Sequence, residues 1–125
     1  ETTSHAGKPI YHSDVFMYVG TEMIGICIDV INKEYKEMVL EKVSRFHNVM
    51  IINEQQILNF CGNSLEARNR QNEKFIIMST KAFSSLSPIQ IETLEKYFKK
   101  IIYSDLSSIE KYGGGSARCM LSELF

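Results

Sequence analysis

The stretch Val15-Phe16-Met17-Tyr18-Val19-Gly20-Thr21-Glu22-Met23-Ile24-Gly25-Ile26-Cys27-Ile28-Asp29-Val30 decides the fold class. Val15 to Val19 alternates in the manner of a strand, and Gly20-Thr21 reads as a turn. Met23 to Val30 is strongly apolar and reads as a second strand. Working outward, Tyr35, Met38, Val39, Val43 and Phe46 recur at steps of three and four, which predicts a helix. Val49-Met50-Ile51-Ile52 then reads as a short buried strand. The order is strand, strand, helix, strand.

The same order returns downstream. Ser64 to Arg68 is a short strand, Asn69 to Asn72 a polar turn, and Phe75 to Met78 a buried strand. Ser87 reads as a helix cap, with Pro88 at the first helical position and Gln90 completing a capping box. Ile91, Leu94, Phe98 and Ile101 form the apolar stripe, and Ile101-Ile102-Tyr103 closes the unit as a strand. Equivalent pieces lie about fifty residues apart, as Ile24 does from Phe75. The same step carries His12 to Gly62 and Gly62 to Gly113. The chain therefore reads as α/β, built of ββαβ modules at about 10–54 and 62–106, with the first strand of a third at 113–125. Modules repeating at this period bury their faces against one another in a propeller or array. Such arrays generally need three or more modules, so the chain is expected to be part of a larger protein, with exposed apolar faces that favour self-association.

Composition narrows the function classes. The 125 residues are 44% hydrophobic and 23% charged, with a net charge of −1, which excludes a disordered chain and argues against a nucleic-acid scaffold or a polybasic membrane binder. No apolar stretch approaches the ~20 residues needed to span a bilayer. Cys27, Cys61 and Cys119 are far apart and none lies in a CxxC spacing, so neither a zinc site nor a disulfide framework is indicated. A reducing cytoplasm is the simplest compartment.

Three residues stand out chemically. Cys119 follows Gly113-Gly114-Gly115, where the backbone can approach a ligand closely, and neighbours Arg118. It reads either as a thiol of lowered pKa acting as a nucleophile or as a small buried hydrophobe after a flexible turn. His12 and Asp14 stand two apart at the mouth of a strand, where both would project from one face. They suit a general acid/base with a charge partner, or two polar groups converging on a cation. Cys27, within an apolar strand, reads as core; Cys61 could be either, with core favoured. His5 and His47 read as structural or incidental. Because His12 and Cys119 open modules two steps apart, a ring of modules would bring them together near its centre.

The runs Gly7-Lys8-Pro9-Ile10-Tyr11-His12-Ser13-Asp14-Val15, Cys61-Gly62-Asn63-Ser64-Leu65-Glu66-Ala67-Arg68-Asn69, Met78-Ser79-Thr80-Lys81-Ala82 and Gly113-Gly114-Gly115-Ser116-Ala117-Arg118-Cys119-Met120-Leu121-Ser122-Glu123-Leu124-Phe125 share an order and spacing. Together they resemble the C-terminal part of an arginine deiminase/amidinotransferase-superfamily protein, nearest to the amidinotransferase branch that includes citrulline-utilisation hydrolases. The resemblance implies a five-bladed, pseudo-symmetric α/β propeller of ββαβ modules (the pentein fold), incomplete in this chain. It implies chemistry on guanidino or ureido compounds such as arginine or citrulline. The family's nucleophile falls on Cys119, its acid/base histidine on His12, and Asp14 matches an acidic position that helps hold the substrate guanidinium. Upstream modules would supply further carboxylates, so this stretch alone is expected to be inactive. The implied reaction needs no metal or organic cofactor: the thiolate attacks, His12 protonates the departing nitrogen, and water or an amine releases Cys119. The competing reading is a non-enzymatic binding module on the same propeller fold.

Overall fold

The computed structural model describes residues 2–3 and 7–122. In the first unit β1 (Met17–Val19) and β2 (Met23–Ile26) form an antiparallel pair, and β3 (Asn48–Ile51) lies parallel to β2 on its other side. A parallel return needs a crossover, which α1 (Lys33–Ser44) supplies. The second unit repeats this arrangement. β4 (Leu65–Arg68) and β5 (Lys74–Ser79) are antiparallel, β6 (Lys100–Ser104) runs parallel to β5, and α4 (Pro88–Tyr97) lies in the crossover. Each sheet has three strands with its most apolar strand in the middle. The remaining helices are short: α2 (Glu54–Leu58), α3 (Thr80–Ser84), α5 (Ser107–Gly113) and α6 (Ala117–Met120).

One hydrophobic core joins the two units. Tyr18, Met23 and Ile52 of the first unit pack in the same cluster as Ile76, Leu94 and Phe98 of the second. Polar joints reinforce it. Both α2 and α4 begin with capping boxes, on Asn53 and Ser87, whose third residues are Gln56 and Gln90. Those two glutamines pair reciprocally: Gln56 Nε2 donates to Gln90 Oε1 at 2.6 Å, and Gln90 Nε2 donates to Gln56 Oε1 at 3.1 Å. Gln90 Nε2 also donates to the Ile51 carbonyl at 2.8 Å. The helix starts of two units are thereby tied through side chains already holding backbone donors. On another face Glu66 receives the Thr21 backbone N–H at 2.8 Å and the Thr21 hydroxyl at 2.6 Å.

The second unit follows its sequence pattern closely; the first departs from it at both ends. Val15 and Phe16 are not in the strand, because Ser13–Val15 is a 3-10 turn. The apolar strand stops at Ile26, and Ile28–Val30 is a second 3-10 turn, leaving the core residue Cys27 just beyond the strand. Helix α1 has no buried residue and Phe46, past its end, is 80% exposed. The stripe of Tyr35, Met38, Val39 and Val43 instead borders an open apolar groove of about 470 Å³ with Phe16 and Ile26. At the other end the predicted strand at 113–125 is replaced over Ala117–Met120 by the helical turn α6; residues 123–125 and His5 lie outside the described residues.

Three core groups, Tyr18, Cys27 and Cys61, resist ionisation. Burial pushes the Cys61 thiol up to about 11 from its ordinary value of 9.0, partly offset by a hydrogen bond with Ser85. Burial likewise raises the Tyr18 hydroxyl. In the unfolded chain these groups lose their protons first, so above pH 9 the unfolded state binds fewer protons than the native state, and stability falls as pH rises. Each such group contributes a slope of at most about 1.4 kcal/mol per pH unit. Urea midpoints are expected to fall steadily from pH 9 to pH 11. Cys61→Ala should be less stable at neutral pH but flatter across that window; an equal slope would remove Cys61 from this account.

Candidate functional site

His12 and Asp14 lie on the bend before β1. His12 is the extended residue preceding the 3-10 turn (φ −122°, ψ 133°), and Phe16 N–H closes the turn on the Ser13 carbonyl at 3.1 Å. They therefore do not share a strand face, as their spacing predicted. The physical reason is a tertiary contact. Gly62, in the 3-10 turn Cys61–Asn63 that precedes β4, presses its backbone against Val15, and a Cβ at position 62 would overlap the Val15 carbonyl. Local alternation yields to that contact.

The Cys119 end is bent for a comparable reason. Helix α5 ends at Gly114 in the left-handed region (φ 68°), where glycine carries no steric cost. Gly115 then lies against the thiol: a Cβ there would come within 2.9 Å of Cys119 Cβ and 3.0 Å of its Sγ. Asn63 Oδ1 accepts the Ser116 N–H at 3.0 Å and the Cys119 N–H at 3.4 Å. These are the donors left open at the first turn of α6, so a side chain from another unit caps it. Ser116 spends its own hydroxyl on Glu110 Oε1 at 2.6 Å, and both residues are buried.

These elements enclose a cleft of about 260 Å³ bordered by His12, Asp14, Ile57, Phe60, Asn63 and Cys119. Phe60 holds a left-handed backbone (φ 65°), a conformation that costs a non-glycine residue about 1 kcal/mol or more and persists only where its surroundings impose it. Cys119 Sγ lies 3.5 Å from Asp14 Oδ2 and 3.2 Å from Asn63 Nδ2. Asn63 Nδ2 also donates to Asp14 Oδ2 at 3.3 Å. His12 and Cys119 are exposed and Asp14 half-buried, whereas Cys27 and Cys61 are at 0% and 2% exposure. The structure thus brings the three sequence-selected residues to one cleft and separates the reachable thiol from the two core thiols. Burial raises the Cys27 thiol as it does Cys61. Sequence reading missed Asn63 and the Glu110–Ser116 pair as parts of the site. The available signal was Asn63 directly after Gly62, the glycine at the repeat position of His12.

The arrangement has limited chemical options. It offers a solvent-reachable thiol, an imidazole and a carboxylate around a space sized for a small polar group. Among the described residues no cluster of three or more His, Cys, Asp or Glu could hold a metal ion, and no helix is long and apolar enough to cross a membrane. A larger cavity of about 730 Å³ beside β4 is bordered by Leu65, Glu66, Arg68, Ile77 and Arg118, without a thiol or imidazole.

Known proteins share the family and the fold of this chain. The eukaryotic N,N-dimethylarginine dimethylhydrolase family matches residues 1–125. The chain belongs to that family. Among curated proteins none matches. Among solved structures the chain is similar to apo ArgZ, an arginine dihydrolase from the ornithine–ammonia cycle in cyanobacteria, with 24% identity and a TM-score of 0.64. The match covers 87% of this chain and 15% of that one, and at this identity it speaks to the fold. Both comparisons lie in the guanidino-modifying pentein superfamily, and the family's α/β propeller is the fold to which these two ββαβ units correspond.

Gly62 is the most exacting position in this region. Gly62→Ala should destabilise the chain by about 1–3 kcal/mol, because the Val15 carbonyl and the turn carrying Asp14 must move. Urea unfolding should show a lower midpoint with an unchanged slope. A midpoint equal to that of the unaltered chain would mean that the Gly62–Val15 contact is not close in solution.

Proposed function

We propose that this chain carries the nucleophile, the proton-transfer group and one substrate carboxylate of a hydrolase acting on guanidino compounds, methylated arginine foremost. The observation that carries the reading is the shared cleft: the reachable thiol of Cys119 borders the same small space as His12 and Asp14. Family membership supports hydrolysis and supports N,N-dimethylarginine as substrate.

A guanidinium carbon is a weak electrophile because resonance spreads its charge over three nitrogens. Asp14, accepting hydrogen bonds from the cation, would orient the carbon toward the sulfur at near-attack distance, about 3–3.5 Å. The Cys119 thiolate adds to the carbon to form a C–S bond. The C–N bond to the substituted nitrogen then breaks, and the amine leaves with a proton from His12. This gives an S-linked amidino intermediate. His12, now neutral, takes a proton from water as the oxygen adds to the same carbon. The C–S bond breaks, returning the thiolate, and the adduct's hydroxyl proton passes to solvent to leave a neutral ureido product. No redox change occurs in either half. An amine in place of water would give a new guanidino compound, which is the transferase variant of the same chemistry.

The test uses two electrophiles of similar size, chloroacetamidine (cationic) and chloroacetamide (neutral), with peptide mapping of the alkylated thiol. Cys119 should be labelled first by both. The amidine should react about ten-fold faster than the amide, the effect of one charge-assisted hydrogen bond. Asp14→Asn should abolish the preference and His12→Ala should slow both reagents. Prior labelling of Cys27 or Cys61, or equal rates for the two reagents, rejects the assignment. With N,N-dimethylarginine, release of dimethylamine with a ureido product identifies hydrolysis.

A further inference from the structure

We propose that Asn63 is the positioning residue of the cleft, holding the Cys119 sulfur as an acceptor and donating to both the sulfur and Asp14; the catalytic meaning of this role rests on the nucleophile reading above. The amide faces two groups that repel when both are charged. Its Nδ2 is 3.2 Å from Cys119 Sγ and 3.3 Å from Asp14 Oδ2, while those two atoms are themselves 3.5 Å apart. A thiol can donate to Asp14 and accept from Asn63. A thiolate can only accept, so ionisation loses the Asp14 contact and keeps the Asn63 contact. The N–H of Asn63 therefore favours the charged sulfur, whereas the carboxylate favours the neutral one.

The orientation of this amide is over-determined. Its Oδ1 accepts two backbone N–H groups, from Ser116 and Cys119, so the nitrogen end is obliged to face the sulfur and the carboxylate. Asn63 is buried at 5% exposure and cannot rotate into water. Ser116, the residue it caps, is fastened in turn to buried Glu110. One side chain thus fixes the turn that presents the sulfur and supplies its donor. The titratable and charged groups around that sulfur are Asp14, His12 bordering the same cleft, Arg118 next in the chain and, through Ser116, Glu110.

Asn63→Asp separates the two duties. It keeps an oxygen for the Ser116 and Cys119 backbone N–H groups and removes the donor to sulfur. The pH dependence of Cys119 alkylation by iodoacetamide should move up by about one unit or more, with a roughly ten-fold slower rate at pH 7. Asp14→Asn should move it down. Circular dichroism monitors the fold. The new carboxylate would raise the profile by its charge alone, so uncharged Asn63→Leu, which also lacks the donor, must raise it as well; a purely structural asparagine would leave the Asn63→Leu profile unmoved. In the unaltered chain, where folding is not in question, the Asn63 side-chain amide NMR signals should titrate in step with Cys119 and lose that titration in Cys119→Ser. An unmoved alkylation profile in folded Asn63→Asp, or amide signals indifferent to Cys119, overturns the proposal. A profile that moves while Cys119 is labelled more slowly than the core thiols rejects the nucleophile reading and keeps the positioning role.

Discussion

The contact between Gly62 and Val15 is the constraint on which the site depends. With no side chain at 62, the turn before β4 lies flat on the turn before β1, and a methyl group would part them. That closeness puts Asn63 within reach of both the carbonyl and the carboxylate of Asp14. From the same place Asn63 reaches the Ser116–Cys119 turn. Three segments distant in sequence are thereby set in register by one missing side chain and one amide. The shared core brings the units together, but apolar packing is non-directional and tolerates shifts that hydrogen bonds at 3.0 Å do not.

Burial raises the stakes of this polar arrangement. Asn63, Ser116 and Glu110 are all below 9% exposure, and a buried polar atom without a partner costs about 1–3 kcal/mol. Ser116 links the other two, its N–H donating to Asn63 and its hydroxyl to Glu110, so the turn that carries Cys119 is held by a chain of hydrogen bonds. The joint between Gln56 and Gln90 works similarly at another face: each amide completes its own helix cap and also bonds to the other. Both devices use side chains already immobilised by local duties, which lowers the conformational entropy lost in joining the units.

What could be read from the sequence follows from where local forces decide. The second unit was legible because its signals were local. Ser87, Pro88 and Gln90 begin α4 as their capping chemistry requires, and Asn69 to Asn72 turns with Asn72 at φ 61°. The exposure contrast between Cys119 and Cys27 was also legible, the one after glycines and the other among isoleucines. Three features were not. The bend at His12–Val15 is imposed by Gly62 from another unit. The helical turn at Ala117–Met120 is capped by Asn63, more than fifty residues away. The open flank of α1 has a normal apolar stripe, and nothing in its periodicity tells which side of the groove is filled. Periodicity reports on an element's own face; it is silent on contacts whose partner is a single distant atom.

The repeat explains why these three segments meet. A 3-10 turn precedes the first strand of each unit, Ser13–Val15 before β1 and Cys61–Asn63 before β4, and α6 follows the glycines one repeat further on. Equivalent positions in a pseudo-symmetric array face a common axis, so approach is dictated by the fold and not by the residues. The residues then break the symmetry. One turn contributes an imidazole and a carboxylate, the next a glycine and an amide, and the last a thiol. A symmetric set of carboxylates would repel, and a symmetric set of thiols would offer no proton acceptor. With one of each, the amide donor faces both potential anions. Repetition supplies the convergence; chemistry at the convergence requires that the copies differ.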